Sequence, residues 1–481
     1  MRKISLTIVG LMIYSLIFAQ IEEQAVFYHS EMGESDEFIN ALDYEAPLVM
    51  DFDTKNRPYF IYNTKTGHNI RNGVYQITTL RNNKWVHYSY LDELQNYFGK
   101  SLYISEKDIE YQGFNASRSC QIMIDDSDNL FAVVGVYLKK DQHTSIKYIL
   151  LSASNISSDK FTGDFVISDI FPEGHGMAVM EVRNSFNGSK KYAPLFVYTM
   201  DQPGFPYVTP YRWSQHSYNK AYLINAYYQG KKLKFNDPVL LDSNIPGFCK
   251  HSSGESFAVT KGNDSYITYL RHDSDPKKDP DGNNHVYVKK FNRKTNKFES
   301  DRKFLFDCTP QFADGHSIPV IAVDKSGFLY VQGGAHSGSG FKNTKSKKPL
   351  DIAEWTSVKE IGSHRTYSSL LVDENGGIHS FFRGSSPKGG YALFYQNGDC
   401  EKGFENNNGI LFVDQNSKCP YRVYYNHACK DRGNRIYVSW TPNSGADYKT
   451  WDFRRVLAFS DDSGKTWKIA TKKDLIEKIQ H

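Results

Sequence analysis

Short apolar runs alternate with polar turns along most of this chain, and one pattern recurs. Each copy has an apolar run, a tight turn that contains Asp, and a second run rich in Tyr, Phe and Val. Such runs predict β-strands, and the Asp, Asn and Gly between them predict turns. The copies lie at residues 47–62, 120–134, 256–270, 314–336, 365–383 and 431–440, with a weaker one at 192–228.

The spacing of these copies predicts the fold. They recur at intervals of roughly fifty residues and give about seven units. Repeats of about 40–50 residues, each with a small antiparallel sheet, are typical of a β-propeller, whose blades surround a central channel. We therefore predict an all-β protein, a single-domain seven-bladed β-propeller over residues 45–470. An N-terminal segment at 20–44 would precede it, and a C-terminal tail at 471–481 would follow.

One turn in the last predicted blade has a recognisable motif. Ser460-Asp-Asp462-Ser-Gly464-Lys-Thr466-Trp467 fits the Asp-box pattern Ser-x-Asp-x-Gly-x-Thr-Trp. The carboxylate of such a turn accepts backbone N–H groups, and the Trp packs between strands. The motif supports the propeller fold and indicates no chemistry.

The first nineteen residues predict a cleaved signal peptide. Met1-Arg-Lys precede an apolar run from Ile4 to Phe18, and Ala19 follows before the chain becomes polar. This order is typical of a secretory signal, and the run is too short for a membrane span. We expect a secreted or periplasmic protein, a monomer with no membrane partner. Six Cys are too few and too scattered for a disulfide framework, so packing must supply the core.

Charge adds one candidate binding residue. The formal net charge is +4, and the concentrated basic run begins at Lys342, soon after His336. Such a run is commonly a solvated loop, but its position suits an anionic substrate, so Lys342 is a candidate substrate-binding residue. Export argues against nucleic acid as a partner.

Two neighbouring copies of the repeat carry chemically capable residues at both ends. His316 and His336 bracket the first copy, and Tyr367 and Arg383 bracket the second. In a propeller the strand ends on one face surround the channel mouth, so residues from adjacent blades are expected to converge. Imidazole and phenol groups transfer protons, and a guanidinium pairs with a carboxylate. This combination points to chemistry on an acidic sugar.

These residues also resemble a known family. The region 316–440 looks like the seven-bladed propeller polysaccharide lyases that act on ulvan, within a wider family of secreted propellers with sialidase-like (BNR) repeats. Those lyases have a His, a second His about twenty residues later, a Thr-Tyr at the next hairpin, and an Arg sixteen residues after the Tyr. His316, His336, Tyr367 and Arg383 match this spacing. The match covers about a quarter of the chain and lies later than in the family, with about four blades before it.

The resemblance implies cleavage of a uronic-acid-containing polysaccharide, most directly ulvan, by β-elimination. Arg383 would neutralise the uronate carboxylate while the proton at C5 is removed. His316 and Tyr367 would act as base and acid, and the face of the sugar that carries the C5 hydrogen decides which removes the proton. Elimination requires no cofactor.

Two further assignments concern the last blade and the substrate. Tyr425, with Tyr424 as its rival, matches another Tyr of those lyases, so Tyr425 and His336 are expected to bind the acidic polysaccharide.

A metal site is a separate hypothesis. His427-Ala-Cys429, with Cys419 nearby, has part of a zinc-ligand pattern, but the spacing does not complete four ligands. Structural thiols are the alternative. A bound zinc or calcium ion would have a structural role.

Two other classes of function remain open. A glycoside hydrolase could use the same scaffold, either sialidase-like or directed at a rhamnosyl-glucuronate linkage. Sialidases need three Arg and an Arg-Ile-Pro motif, of which Arg57-Pro58 is all that occurs, and hydrolysis uses two carboxylates, which do not stand out at the hairpin ends. A non-catalytic carbohydrate-binding propeller would equally explain the 15% aromatic content.

Overall fold

The strands form seven sheets, almost entirely antiparallel, which are the blades of a seven-bladed β-propeller. The predicted all-β propeller fold is therefore confirmed. The protein is represented by a computed structural model that describes residues 25–28, 49–62, 75–103, 121–140, 143–173, 178–183, 186–188, 190–208, 215–246, 256–273, 284–308, 317–335, 339–362, 364–385, 390–400, 403–404, 409–414, 422–443 and 456–480.

Four blades consist of four strands in chain order, with the innermost strand first. Blade 1 contains Val49–Phe52, Pro58–Tyr62, Gln76–Arg81 and Lys84–Ser89. Blade 2 contains Gln121–Ile124, Leu130–Lys140, His143–Ala153 and Val166–Ser168. Blade 5 contains Val320–Val323, Leu329–Gly333, Phe341–Lys345 and Lys359–Ile361. Blade 7 contains Arg422–Lys430, Ile436–Asn443, Val456–Ser460 and Lys468–Ile469.

Three blades have additional strands. Blade 3 contains Ala178–Met180, Tyr192–Val208, Gln215–Gln229, Lys232–Phe235 and Val239–Ile245. Blade 4 contains Ala258–Gly262, Asp264–His272, Asn284–Asn292, Lys297–Phe298 and Lys303–Asp307, and Phe186–Gly188 pairs in parallel with its innermost strand. Blade 6 contains Thr366–Val372, Gly377–Ser385, Tyr391–Asp399, Gly403–Phe404 and Ile410–Asp414, and Ala25–Tyr28 pairs in parallel with its last strand.

Among the residues that the structure describes, helical structure is limited to short segments. An α-helix, Leu91–Phe98, and a 3-10 turn, Gly99–Ser101, follow blade 1, and an α-helix, Lys472–Ile476, follows blade 7. Within the described ranges, no helix has the length and apolarity that a membrane crossing needs. The predicted signal peptide lies outside those ranges.

The recurring Asp of the sequence pattern closes the turn between the two inner strands of a blade. In four blades one carboxylate oxygen accepts hydrogen bonds from the backbone N–H groups two and four residues later, and these carboxylates belong to Asp53, Asp125, Asp373 and Asp431. The Asp thus fixes the end at which each inner strand stops. We call this end of the propeller the turn face and the opposite end the upper face.

The core lies between neighbouring blades. Leu371 and Phe381 of blade 6 pack in one buried cluster with Val438 and Trp440 of blade 7. A second cluster joins Met50 and its neighbours in blade 1 to blade 7, so the first and last blades are in contact and the ring is closed.

The predicted Asp box has the expected geometry. Asp462 accepts hydrogen bonds from the N–H and the hydroxyl of Thr466, at 2.9 and 2.6 Å, and the Trp467 indole donates to the Gly464 carbonyl. The Trp467 ring lies 4.9 Å from that of Tyr395, so the motif connects blade 7 to blade 6.

Candidate active site between blades 5, 6 and 7

Tyr367 lies in a β-bulge at the upper face of blade 6. Thr366 pairs with Arg383 across the inner hairpin, and the register shifts before the next pair, which begins at Ser369. The bulge gives Tyr367 a φ of 56°, a left-handed conformation that is uncommon for a bulky side chain. Bulges redirect side chains, and strained residues of this kind concentrate at functional sites.

The inner strand of blade 7 has a matching irregularity. Its register shifts between Val423 and Asn426, so Tyr424 and Tyr425 fall within the irregular stretch. The buried side chain of Asn426 donates a 3.0 Å hydrogen bond from Nδ2 to the carbonyl oxygen of Tyr367. The two irregular segments are therefore held against each other.

The guanidinium of Arg383 lies between two aromatic rings. Its Cζ is 4.5 Å from the ring centroid of Tyr367 and 4.4 Å from that of Tyr391. Tyr367 and Arg383 are buried, whereas Tyr391 is 36% exposed. Both rings attract the cation, and a planar guanidinium covered on its faces presents its N–H donors at its edge. The pair predicted from sequence spacing is thus in direct contact.

Blade 5 supports the bulge from the other side. The buried side chain of Gln332 accepts hydrogen bonds at Oε1 from the hydroxyls of Ser368 and of Ser380, the latter at 2.6 Å. Its Nε2 donates to Oδ1 of Asn343 at 2.8 Å. Ser368 directly follows Tyr367, so Gln332 fixes the backbone next to the candidate catalytic Tyr.

The two predicted His residues, His316 and His336, lie outside the described residues, but the chain beside them is described. The N–H of Gly334 donates a 3.1 Å hydrogen bond to the carbonyl of Ser317. The segments that lead to the two His residues are therefore adjacent at the upper face of blade 5, one blade from Tyr367.

Lys342 is directed towards blade 4. Its ammonium group donates a 2.7 Å hydrogen bond to the carbonyl of Asp307, and its backbone pairs with Gly333. A substrate anion at Lys342 would share the ammonium group with this carbonyl.

A second buried guanidinium near the bulge has a structural environment. Arg365 donates to Oε1 of Gln396 at 2.6 Å and lies over the ring of Phe382. Burial lowers the pKa of Arg365 to about 10. Its hydrogen bond is to Gln396, a residue of blade 6 itself.

The residues proposed as metal ligands are only partly described. Nε2 of His427 lies 3.1 Å from the carbonyl oxygen of Met50, and Cys429 is a buried free thiol whose pKa is raised by burial, which disfavours the thiolate. Cys419 and the side chain of Tyr425 lie outside the described part of the chain. Among the described residues, no group of three or more His, Cys, Asp or Glu is placed to hold a metal. The zinc or calcium site stays a prediction.

Sequence reasoning missed two residues of this site. Tyr391 begins the strand that pairs with the strand of Arg383, two positions from the residue opposite Arg383, and this place in the hairpin was an available signal. Gln332 is the polar residue of the otherwise apolar strand Leu329–Gly333, and its partners could not be read from the sequence because they belong to another strand and another blade.

A comparison with protein families matches the second part of this chain. The model of the BNR repeat-containing family matches residues 264–481. With the seven blades, this confirms the predicted resemblance to the ulvan-lyase-like BNR propellers.

The particular relatives are ulvan lyases. The ulvan lyase of Pseudoalteromonas sp. (strain PLSV) is 22% identical over 227 residues, which cover 42% of this chain and 44% of that protein. The ulvan lyase of Nonlabens ulvanivorans is 24% identical over 201 residues, 38% of each chain. The matches thus span less than half of these relatives. A solved ulvan lyase bound to -[GlcA(1-4)Rha3S]- is 17% identical, with a TM-score of 0.35, and the match covers 47% of this chain and 57% of that one.

Proposed function

We propose that this protein is an exported polysaccharide lyase that cleaves a uronic-acid-containing polysaccharide, with ulvan as the first candidate, by β-elimination. The carrying observation is that Arg383 is stacked on Tyr367, and that Tyr367 has a left-handed backbone conformation in a β-bulge at the upper face. The likeness to ulvan lyases supports the substrate class.

The difficult step is removal of the proton at C5 of the uronate. That proton is weakly acidic while the neighbouring carboxylate is negative, because the resulting carbanion adds charge to the same group. A guanidinium that donates two N–H bonds to the carboxylate disperses this charge as it develops. Arg383 suits this task because the rings of Tyr367 and Tyr391 fix the plane of its guanidinium.

The remaining steps need a base and an acid. The base takes the C5 proton, the C4–C5 double bond forms from the released electron pair, and the C4–O bond breaks. The leaving oxygen receives a proton from the acid, so atoms and charge balance. Tyr367 is the proposed acid and His316 the proposed base, unless the geometry of the sugar gives both tasks to Tyr367.

The other predicted residues have supporting roles in this proposal. His336 and Tyr425 would bind the sugar on either side of blade 6, and Lys342 would attract its anionic groups.

The test is product analysis. The purified protein is incubated with ulvan and with other uronate polysaccharides, and the ultraviolet absorbance of the unsaturated uronate is followed together with release of reducing ends. We expect both signals to rise on ulvan. Reducing ends without absorbance would mean hydrolysis, and binding without products would mean a non-catalytic propeller; either result would contradict the proposal.

A further inference from the structure

The outer strands of blade 4 present a rigid aromatic surface at the upper face. Tyr287 pairs with Phe304 across these strands, and His285 pairs with Asp307. Phe304 is 47% exposed, and its ring stands edge-on to those of Tyr287 and His285, at centroid distances of 6.0 and 5.4 Å. A large apolar ring that is both exposed and fixed by its neighbours indicates a contact surface.

Two oriented carboxylates flank the ring. Oδ1 of Asp307 lies 2.5 Å from Nδ1 of His285, and Asp273 accepts hydrogen bonds from the hydroxyl of Tyr287 and from Arg271. The side chains of Asp273 and Asp307 are 33% and 45% exposed. Each carboxylate can accept about four hydrogen bonds, so both retain acceptor capacity towards solvent. Phe304, His285, Tyr287, Asp273 and Asp307 are called the blade-4 platform below.

The local charges are nearly balanced. Arg271 and Arg302 both face Asp242, at 3.3 and 3.5 Å, and Arg271 also pairs with Asp273. Asp307 adds a third carboxylate, and Lys342 adds a third cation through its bond to the Asp307 carbonyl, so the two signs are close to balance around the ring. The platform therefore suits a ligand with an apolar face and several hydroxyls, and these are the features of a sugar ring.

The platform lies two blades from Tyr367 and Arg383, with blade 5 between them, on the same face. Asp273 directly follows the second strand of blade 4, which ends at His272, and Arg383 lies two residues before the end of the second strand of blade 6, so both lie at the upper face. The backbone carbonyl of Asp307 accepts a hydrogen bond from the ammonium group of Lys342 in blade 5. In the same blade, Gln332 contacts Ser368 beside Tyr367.

We propose that the blade-4 platform is a distal carbohydrate subsite that binds a sugar unit by its ring face and hydroxyls. It rests on the proposed function in one respect: the unit belongs to the polysaccharide chain whose uronate is held at Arg383. The subsite adds affinity for long chains and takes no part in the elimination step.

The test measures binding without turnover. All variants carry Tyr367→Phe, and their binding to ulvan is measured by how far ulvan in a native gel retards them. The variants compared are Phe304→Ala, Phe304→Tyr and Tyr97→Ala. Tyr97 is a matched control, because it is an exposed aromatic (51%) on the helix after blade 1. We expect Phe304→Ala to weaken binding by about tenfold, since it removes one stacked ring, whereas Phe304→Tyr and Tyr97→Ala bind as the parent does. The loss should persist at high salt, which weakens charge contacts.

Equal binding by the parent and by folded Phe304→Ala would overturn the proposal. Thermal unfolding checks the fold, and Asp307→Ala is a second variant that should also weaken binding. The outcome is separable from that of the proposed function. Normal elimination by the wild type with no effect of Phe304→Ala would refute only the platform. Weakened binding by Phe304→Ala with no unsaturated product from the wild type would refute only the lyase.

Discussion

Asn426 of blade 7 donates a 3.0 Å hydrogen bond from its side-chain amide to the backbone carbonyl of Tyr367 in blade 6. This bond ties together the two irregular strand segments that surround the candidate active site. It supports a conformation at Tyr367 that is intrinsically costly.

Replacing Asn426 should therefore affect turnover more than substrate affinity. Asn426→Ala removes the donor, and we expect a loss of about 1–3 kcal/mol in unfolding free energy and a clear fall in kcat with little change in KM. Asn225→Ala is the control, because Asn225 is a buried Asn that bonds a neighbouring blade through the Arg293 carbonyl, far along the ring. Asn225 also accepts a 2.9 Å hydrogen bond from Nε of Arg293, so Asn225→Ala should cost at least as much stability and leave kcat per folded molecule intact. Equal effects of both variants on kcat would contradict the positioning role.

Arg383 should be intolerant even of a conservative change. Arg383→Lys keeps a positive charge but loses the planar fork between the two rings, so it cannot pair with a carboxylate through two bonds. We expect kcat on ulvan to fall by about 10²–10³ for Arg383→Lys, and at least as much for Arg383→Ala. Initial rates of unsaturated-product formation measure this. Near-normal rates for the Lys variant would exclude Arg383 as the carboxylate partner.

Substitutions of the two tyrosines that enclose Arg383 should differ in their effect on kcat. Phe keeps the ring at either position, so stacking on the guanidinium is retained, and only the hydroxyl is lost. Tyr367→Phe should lower kcat by about 10²–10⁴, because the proposed proton donor is gone. Tyr391→Phe should have a far smaller effect, and Tyr391→Ala an intermediate one because the clamp on Arg383 is opened. If Tyr391→Phe were the more damaging variant, the acid would have been assigned to the wrong ring.

Glu181 should make stability depend on pH. It is fully buried between the inner strands of blades 3 and 4 and accepts hydrogen bonds from Thr260 and Leu195, and burial raises its pKa to about 7. The folded protein thus holds this proton more tightly than the unfolded chain. This group's contribution to the unfolding free energy is complete below about pH 4.5, falls as pH rises towards 7, and is lost above that.

Glu181→Gln imitates the protonated form and should remove this dependence. At pH 8 the variant should be more stable than the wild type, by up to about 3 kcal/mol, and at pH 4 the two should converge. Urea unfolding across this range measures the difference. The raised pKa of Glu181 would be refuted if the stability of the wild type did not decline between pH 4.5 and 7, or if the Gln variant kept the same decline.

The Asp-box tryptophan should contribute to stability through the junction of blades 6 and 7. Trp467 is 8% exposed and packs on Tyr395, Phe381 and Phe412. Trp467→Ala should lower the unfolding free energy by about 3–5 kcal/mol. The partly buried Trp355 offers a comparison, and Trp355→Ala should cost distinctly less in the same urea experiment. A loss below that of Trp355→Ala would show that the motif does not join the blades.

The fold and the contact between Tyr367 and Arg383 could be predicted from the sequence because both depend on local patterns. The repeated Asp turns determine where inner strands end, and hairpin geometry alone brings Tyr367 and Arg383 to the same face. Their chemistry and spacing were therefore informative before any contact was known.

Other features depend on partners distant in sequence. The hydrogen bonds of Gln332 to Ser368 and Ser380, and the aromatic cluster at Phe304, arise from the packing of separate strands and blades, which no periodicity encodes. The bulge at Tyr367 is a shift of register, and register follows from what the two strands bury.

The N-terminal strand Ala25–Tyr28 has a mechanical consequence. Blades 1 and 7 are each built from consecutive strands, so in the described part of the chain their sheets do not share a strand across the gap between them. The strand before blade 1 is attached instead to blade 6, beyond blade 7. Residues 29–48 join this strand to blade 1, so the chain connects blade 1 covalently to the blade that carries Tyr367 and Arg383, on the far side of blade 7.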